Sequence, residues 1–119
     1  MTPAAVGTGE SRPWGNFKIM LREPGIQVKR IEVKPGLRFS LQKHKKRAEK
    51  WIVISGKGIA TIKDKEISVS AGKYFDVPCE EIHRMQNTGK VPLVFIEVQF
   101  GDYLGEDDVI RLQDDFARA

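Results

Sequence analysis

Four side chains that can bind a metal ion occur in two stretches of the sequence. Gln42, His44 and Glu49 lie close together in the first stretch, and His83 lies in the second. Imidazole and carboxylate are standard ligands of first-row divalent metals, and an amide oxygen can complete the set. The two stretches therefore predict a mononuclear metal site, formed where the fold brings them together.

The residues around the first stretch alternate as β-strands do. Residues 39–44 alternate between apolar and polar, so Gln42 and His44 share one face of a predicted strand. Residues 49–54 read as a second strand, and residues 45–48 between them have no strand character. If the two strands form an antiparallel pair, the turn brings Glu49 back beside Gln42 and His44.

The whole chain has the pattern of an all-β domain. Short strands follow one another with turns at intervals of about eight to twelve residues, which is typical of a sandwich or a barrel. Residues 1–11 are small and polar and are predicted to be a flexible leader. Residues 12–119 are then predicted to form a single domain around one core, with Trp51 and Phe95 inside it.

Two local features complicate this pattern. In residues 26–33 the alternation of apolar side chains changes phase at Lys29 and Arg30, which predicts a bulge there. Residues 106–112 begin with acidic side chains that favour a helix start, so a short helix or turn is predicted to pack Val109 and Leu112 onto the barrel. The acidic run is interpreted as a structural closure rather than a catalytic feature.

Composition limits the classes of partner. The single cysteine, Cys79, excludes an internal disulfide and fits a reducing compartment. No apolar run is long enough to cross a bilayer and no signal peptide is recognisable. The protein is therefore expected to be cytoplasmic and not to bind a membrane. The net charge is +4, and the basic side chains are concentrated near the predicted site without aromatic residues between them. This pattern is interpreted as a solvated turn or as a binding surface for a small anion such as a sugar phosphate, rather than for nucleic acid.

The same two stretches resemble the motifs of the cupin family. Residues 36–56 fit the pattern G-x5-[H/Q]-x-H-x4-E-x6-G, and residues 72–87 fit G-x5-P-x-G-x2-H-x3-N. Glu80 replaces the glycine of the second pattern, so the turn there is expected to be made differently. The resemblance implies an all-β cupin, a double-stranded β-helix or jelly-roll barrel. It also implies four metal ligands, which are Gln42, His44, Glu49 and His83.

A narrower resemblance is to type II mannose-6-phosphate isomerases, which often form the C-terminal part of enzymes that also make GDP-mannose. The segments that carry it are RPWG at 12–15, VKRIEVKPG at 28–36, SLQKHKKRAEKW at 40–51, HRMQN at 83–87 and PLVFIEVQFGDYLGEDDVIR at 92–111. The family usually reads QxHxHRAEHW, and Lys46 and Lys50 stand here where histidines are common.

This resemblance implies interconversion of mannose 6-phosphate and fructose 6-phosphate. It implies one divalent ion, with Zn expected first and Mn, Fe, Co or Ni as the alternatives, and a homodimer. The reaction needs a base that moves a proton between C1 and C2, for which Glu97 and Lys46 compete. Lys43, Arg47, Lys46 and Arg84 are the candidates that bind the phosphate at the rim, although strand parity points Arg84 away from the ligand face.

Other interpretations remain open from the sequence. Glu97 is equally readable as a buried carboxylate in an ion pair. The chain could be an isomerase of another sugar phosphate, or a sugar- or metal-binding cupin without turnover. A cupin dioxygenase is a third possibility, against which the glutamine ligand and the family-specific tail argue.

Overall fold

The computed structural model describes residue 7 and residues 9–116, and this part of the chain consists of β-strands, turns and loops. The all-β prediction is therefore confirmed. The strands are β1 (Gly9–Arg12), β2 (Gly15–Glu23), β3 (Ile26–Val33), β4 (Leu41–Lys43), β5 (Ala48–Ser55), β6 (Lys57–Ile62), β7 (Lys65–Ser70), β8 (Tyr74–Val77), β9 (His83–Asn87), β10 (Leu93–Phe100) and β11 (Ile110–Gln113).

The strands form two antiparallel sheets. The larger sheet has the order β1-β2-β3-β10-β5-β8, and the smaller sheet has the order β11-β4-β9-β6-β7. Alternate side chains of each strand point between the sheets, where they form one apolar core. Trp51 and Phe95 are 1% and 0% exposed, so their predicted place in the core is confirmed. The polar site lies at one end of this core.

The pairing of the two strands of the first stretch differs from the prediction. β4 pairs with β9 and β11 in the smaller sheet, whereas β5 pairs with β10 and β8 in the larger one. An antiparallel pair between residues 39–44 and 49–54 is therefore wrong. Residues 44–47 cross from one sheet to the other, so the two stretches face each other across the interior. This arrangement lets Phe39 and Trp51 meet edge to face in the core.

The N-terminal predictions need two corrections. Residues 9–11, predicted as part of the flexible leader, form β1 and pair with β2, while residues 1–6 and 8 lie outside the described part. The predicted bulge at Lys29 and Arg30 is also wrong. The irregularity lies in β2, between Ile19 and Leu21, and β3 alternates without interruption. The inward face of β3 therefore carries polar as well as apolar side chains.

The C-terminal segment folds as a turn followed by a strand. Glu106 and Asp107 form the turn, and β11 then pairs with β4. Val109 is half-buried, but Leu112 is 48% exposed, so its predicted packing onto the barrel is wrong. In residues 7 and 9–116 no helix is long and apolar enough to cross a membrane.

Candidate metal centre

Three buried side chains converge at one end of the barrel. His44 follows β4, Glu49 lies on β5 and His83 begins β9. The ligand atoms of these residues all lie within 4.8 Å of one another. His44 Nε2 is 3.3 Å from Glu49 Oε2, and His83 Nε2 is 3.8 Å from Glu49 Oε1. The crossing of the chain between the sheets thus places the carboxylate opposite both imidazoles.

Backbone carbonyls orient both histidine rings. His44 Nδ1 lies 2.5 Å from the carbonyl oxygen of Asp108, and His83 Nδ1 lies 2.8 Å from that of Glu81. An Nδ1–H donated to a carbonyl leaves the Nε2 lone pair of each ring aimed at the centre. His83 Nε2 is fully buried and has no hydrogen-bond partner among the described residues. A buried nitrogen of this kind is suited to a metal ion.

The charge states of the three side chains fit the same role. Burial, and then the charge of Arg47, lowers the pKa of His44 to about 4. Burial also lowers the pKa of His83. Burial opposes ionisation of Glu49, but Arg47 and the two imidazoles overcome this and hold its pKa below the ordinary value. The centre therefore offers two neutral imidazoles and one carboxylate, the forms in which these groups bind metals.

Gln42 lies beside these three residues. It is directly opposite His83 in the pairing of β4 with β9, and residues opposite each other in an antiparallel pair share a face. Its side chain lines the cleft that leads to the centre, and the hydroxyl of Ser40 donates to its Oε1 at 2.7 Å. Together, the donor set of two imidazoles, a carboxylate and an amide fits a first-row divalent ion.

Arg47 lies at the centre rather than at the rim, so its predicted rim position is wrong. It is 6% exposed, and its Nε donates to Glu49 Oε2 at 2.9 Å. Its Nη2 lies 3.2 Å from His44 Nε2 and 3.8 Å from Glu97 Oε1. The crossing segment turns this side chain into the barrel, where two carboxylates compensate the charge of the guanidinium.

The other predicted phosphate-binding cations do not line the cleft. Arg84 donates to the carbonyl of Phe39 at 3.1 Å and to the side chain of Gln113 at 2.7 Å, and it is not among the residues that line the cleft. Lys43 follows Gln42 on β4 and therefore points to the opposite face. Lys46 is exposed, with its Nζ 4.9 Å from the centre of the Tyr103 ring.

Lys50 also faces away from the centre. It alternates with Glu49 on β5 and forms an exposed ion pair with Asp76 at 2.6 Å. Lys46 and Lys50, the two lysines that replace family histidines, therefore lie outside the cleft. The interior of the metal centre keeps the residues that the family pattern predicts.

Glu97 is buried on the ligand side of β10. The amide of Gln99 donates to Glu97 Oε1 at 2.5 Å, and Glu97 lines the cleft with His44 and Arg47. Burial, and then the negative charge of Glu49, raises the pKa of Glu97 to about 8. The structure thus shows a second carboxyl group, distinct from the candidate ligand Glu49, that lines the cleft.

The cleft contains charged residues that the sequence analysis missed. It has a volume of about 80 Å³ and an apolar wall that includes Phe17 and Phe39. The missed charged residues that line it are Arg12, Lys29, Glu106 and Arg111. The apolar pattern of residues 26–33 gave no signal for Lys29, because it changes phase there, whereas the regular β3 of the structure places Lys29, Ile31 and Val33 on one face.

Asp108 was also missed as part of the site. Its carboxylate accepts the backbone N–H groups of Lys45 and Lys46, each at 3.0 Å, in addition to the contact of its carbonyl with His44. The acidic C-terminal run therefore holds the segment that carries His44. The interpretation of this run as a structural closure agrees with these contacts of Asp108.

Glu80 stands in this turn at the position where the cupin pattern has a glycine. Its φ of 65° lies in the left-handed region, which glycine adopts readily and a residue with a Cβ atom does not. Its N–H donates to the carbonyl of His44 at 2.8 Å, which ties this turn to the metal centre. A left-handed conformation is costly for a residue with a Cβ atom, by about 1–2 kcal/mol.

We expect Glu80→Gly to raise the free energy of unfolding by about 0.5–1 kcal/mol, since relief of this strain exceeds the added entropy of the unfolded chain. Urea unfolding at unchanged m-value measures the effect. Glu80→Ala is the matched control, because it removes the same charge but keeps the Cβ atom and should give no gain. An equal gain in both variants would assign the effect to the charge.

Comparisons with known proteins agree with this geometry. Residues 4–114 match the family described as "Mannose-6-phosphate isomerase C-terminal". The chain is 48% identical over 107 residues to the alginate biosynthesis protein AlgA of Pseudomonas aeruginosa, covering 90% of this chain and 22% of that protein. It is 40% identical to a mannose-1-phosphate guanylyltransferase of Klebsiella pneumoniae, covering 90% of this chain and 23% of that protein.

A solved structure supports the fold independently. The cupin domain of Cnp3 from Schizosaccharomyces pombe superposes with a TM-score of 0.69 at 18% identity, covering 73% of this chain and 64% of that one. This likeness confirms the predicted cupin barrel. The chain spans less than a quarter of the length of the curated relatives described above. Because the family match extends over nearly all of its residues, the chain belongs to the mannose-6-phosphate isomerase C-terminal family.

Proposed function

We propose that this chain is a metal-dependent aldose–ketose isomerase that interconverts mannose 6-phosphate and fructose 6-phosphate. The observation that carries the proposal is the convergence of His44, Glu49 and His83, with a buried Nε2 of His83 that has no other partner in the described part of the chain. Family membership supports the choice of substrate. The homodimer and the cytoplasmic location stay predictions.

The residues of the centre would hold one divalent ion. His44, Glu49 and His83 supply nitrogen and carboxylate ligands, and Gln42 supplies an amide oxygen from the adjacent strand. A bound ion supplies Lewis-acid polarisation of the sugar carbonyl. The carbonyls of Asp108 and Glu81 keep both rings in place, so the ligands are organised before an ion arrives.

Glu97 is the group best placed to move the proton between C1 and C2. It is buried, it lines the cleft beside His44, and the amide of Gln99 fixes its orientation. As the base, it takes the proton from C2 of the aldose and returns it to C1 of the enediol. Arg47, 3.8 Å from Glu97, places positive charge where the sugar oxygens become more negative.

The apolar wall of the cleft completes the site. Trp14, Phe17, Ile31 and Phe39 line the same space as the polar groups. A wall of this kind excludes water, which strengthens the interactions of Arg47 and Glu97 with a bound sugar. It also gives the carbon skeleton of a sugar a surface on which to pack.

A coupled assay with the purified chain tests the proposal. We expect turnover of mannose 6-phosphate, a loss of about 100-fold or more after chelation, and recovery when Zn, Mn, Fe, Co or Ni is added back. A parallel assay in which chelator is added only to the coupling enzymes controls for their own metal needs. Other aldose phosphates, tested in the same assay, define the substrate range.

The alternatives give different results in this experiment. A chain that binds a stoichiometric ion but converts no sugar phosphate would be a metal- or sugar-binding cupin, and the isomerase proposal would be wrong. Turnover that is restricted to another sugar phosphate would keep the isomerase class and change the substrate. Turnover that is insensitive to chelation would reject the metal-dependent mechanism.

A further inference from the structure

A lysine is buried in the wall of the cleft, outside the metal centre. Lys29 is 4% exposed, and it lies opposite Glu97 in the pairing of β3 with β10. Its Nζ forms an ion pair with the carboxylate of Glu106 and lies 4.1 Å from the centre of the Phe17 ring. Lysine is rarely buried without a partner, so this position requires an anion beside it.

Two arginines share the cleft with Lys29. The guanidinium of Arg12 lies 4.9 Å from the centre of the same Phe17 ring, and Arg111 lines the cleft from β11. Arg111 also lies opposite Gln42 in the pairing of β11 with β4, which places it on the same face as that ligand candidate. The cleft therefore has a cationic wall next to the metal centre.

The partner of Lys29 comes from a turn and is more exposed than Lys29 itself. Glu106 belongs to the turn before β11, and its side chain is 18% exposed, in contrast to the buried Lys29. Its carboxylate is an oxyanion held by a cation inside the cleft. A phosphate is an oxyanion with more charge and more acceptor oxygens, so it can replace the carboxylate without leaving Lys29 unpaired.

We propose that Lys29, with Arg12 and Arg111, binds the phosphate group of the substrate. The carboxylate of Glu106 competes with this phosphate for the ammonium group of Lys29. The assignment of a sugar phosphate as the ligand rests on the proposed function. It replaces Lys43, Lys46 and Arg84 as the phosphate-binding cations, because none of these lines the cleft. The sugar then lies between the cationic wall and the metal centre.

Two substitutions in the same ion pair separate this role from a structural one. Lys29→Met and Glu106→Gln both remove the pair, so both are expected to lower Tm. Their effects on phosphate affinity are expected to be opposite. Lys29→Met removes a charged donor and should weaken binding by about 10–100-fold. Glu106→Gln removes the competitor and should strengthen phosphate binding by several-fold, which corresponds to the free energy of about one ion pair.

Isothermal titration of the metal-loaded chain with inorganic phosphate measures these effects, and titration with mannose 6-phosphate and mannose compares the phosphorylated and plain sugars. Lys29→Arg keeps the charge in a different shape and should bind phosphate more tightly than Lys29→Met. Lys18→Met is the matched control, because it removes an exposed lysine of the neighbouring β2 and should change neither affinity nor Tm. Metal content, measured on every sample, shows that the centre is intact.

Opposite changes of phosphate affinity in Lys29→Met and Glu106→Gln, with equal metal content, would support the proposal. Unchanged phosphate affinity in both variants, or a parallel loss in both, would overturn it. Lys29-dependent binding without turnover would reject the isomerase but keep the phosphate site. Turnover with an unchanged KM in Lys29→Met would reject the phosphate site but keep the isomerase.

Discussion

Replacement of His83 by alanine is expected to lower the affinity for a divalent ion by more than about 100-fold and to abolish turnover. The variant loses the nitrogen that has no other partner among the described residues, and only His44, Glu49 and Gln42 remain as ligands. Loss of outer contacts alone typically costs 10–100-fold in metal affinity, so loss of a direct ligand should cost more. Metal analysis and calorimetric titration measure the effect.

The control for this variant is Met85→Ala. Met85 lies two residues away on β9, is 0% exposed and points to the same interior. Its truncation should cost about 2–5 kcal/mol of stability through the cavity, but it removes no ligand. We therefore expect Met85→Ala to keep one bound ion per chain. Stoichiometric metal in His83→Ala, measured at the same protein concentration, would contradict the assignment of the centre.

Replacement of Glu97 by glutamine is expected to lower kcat by about 100- to 10,000-fold, which is the usual contribution of a positioned general base. The amide is close in shape to the carboxyl group and can still meet Gln99 and Arg47. Because Glu97 is outside the group of three converging ligands, metal content should match that of the wild type. KM should change little, since the lost interaction acts in the transition state.

The rival base gives the opposite result. Lys46 is exposed and its Nζ lies over the Tyr103 ring, so Lys46→Met should keep kcat within about threefold of wild type. A large loss in Lys46→Met together with a small one in Glu97→Gln would exchange the two assignments. Small losses in both would place the base elsewhere. Steady-state kinetics of the three proteins, each at measured metal content, decides the matter.

The pattern of residue types predicted the cupin barrel and the three side chains that converge at its candidate metal centre. Alternation within a strand depends only on backbone geometry, so the common face of Gln42 and His44 is a local property. The prediction that His44, Glu49 and His83 lie close together came from their spacing in the cupin patterns, because each pattern encodes a loop of fixed length. Their convergence in the structure agrees with that expectation.

Pairing between distant segments was not predictable in the same way. The stretches around His44 and Glu49 are adjacent in sequence, which suggested a hairpin, yet they belong to different sheets. A turn-like segment has the same composition whether it joins two paired strands or crosses between two sheets. The difference depends on β9 and β10, which supply the actual neighbours of β4 and β5.

The sequence by itself determined the fold class, the family and the three side chains that converge at the candidate metal centre, because strand periodicity and motif spacing are local. Only the tertiary structure decided where the cations lie. Arg47 turned inward because two buried carboxylates compensate its charge. Arg84 is the exception, because strand parity alone already places it on the face of β9 opposite to His83. Lys29 faces the cleft because the bulge lies in β2 and leaves β3 regular. Such placement depends on ion pairs between residues far apart in the chain, which no local pattern records.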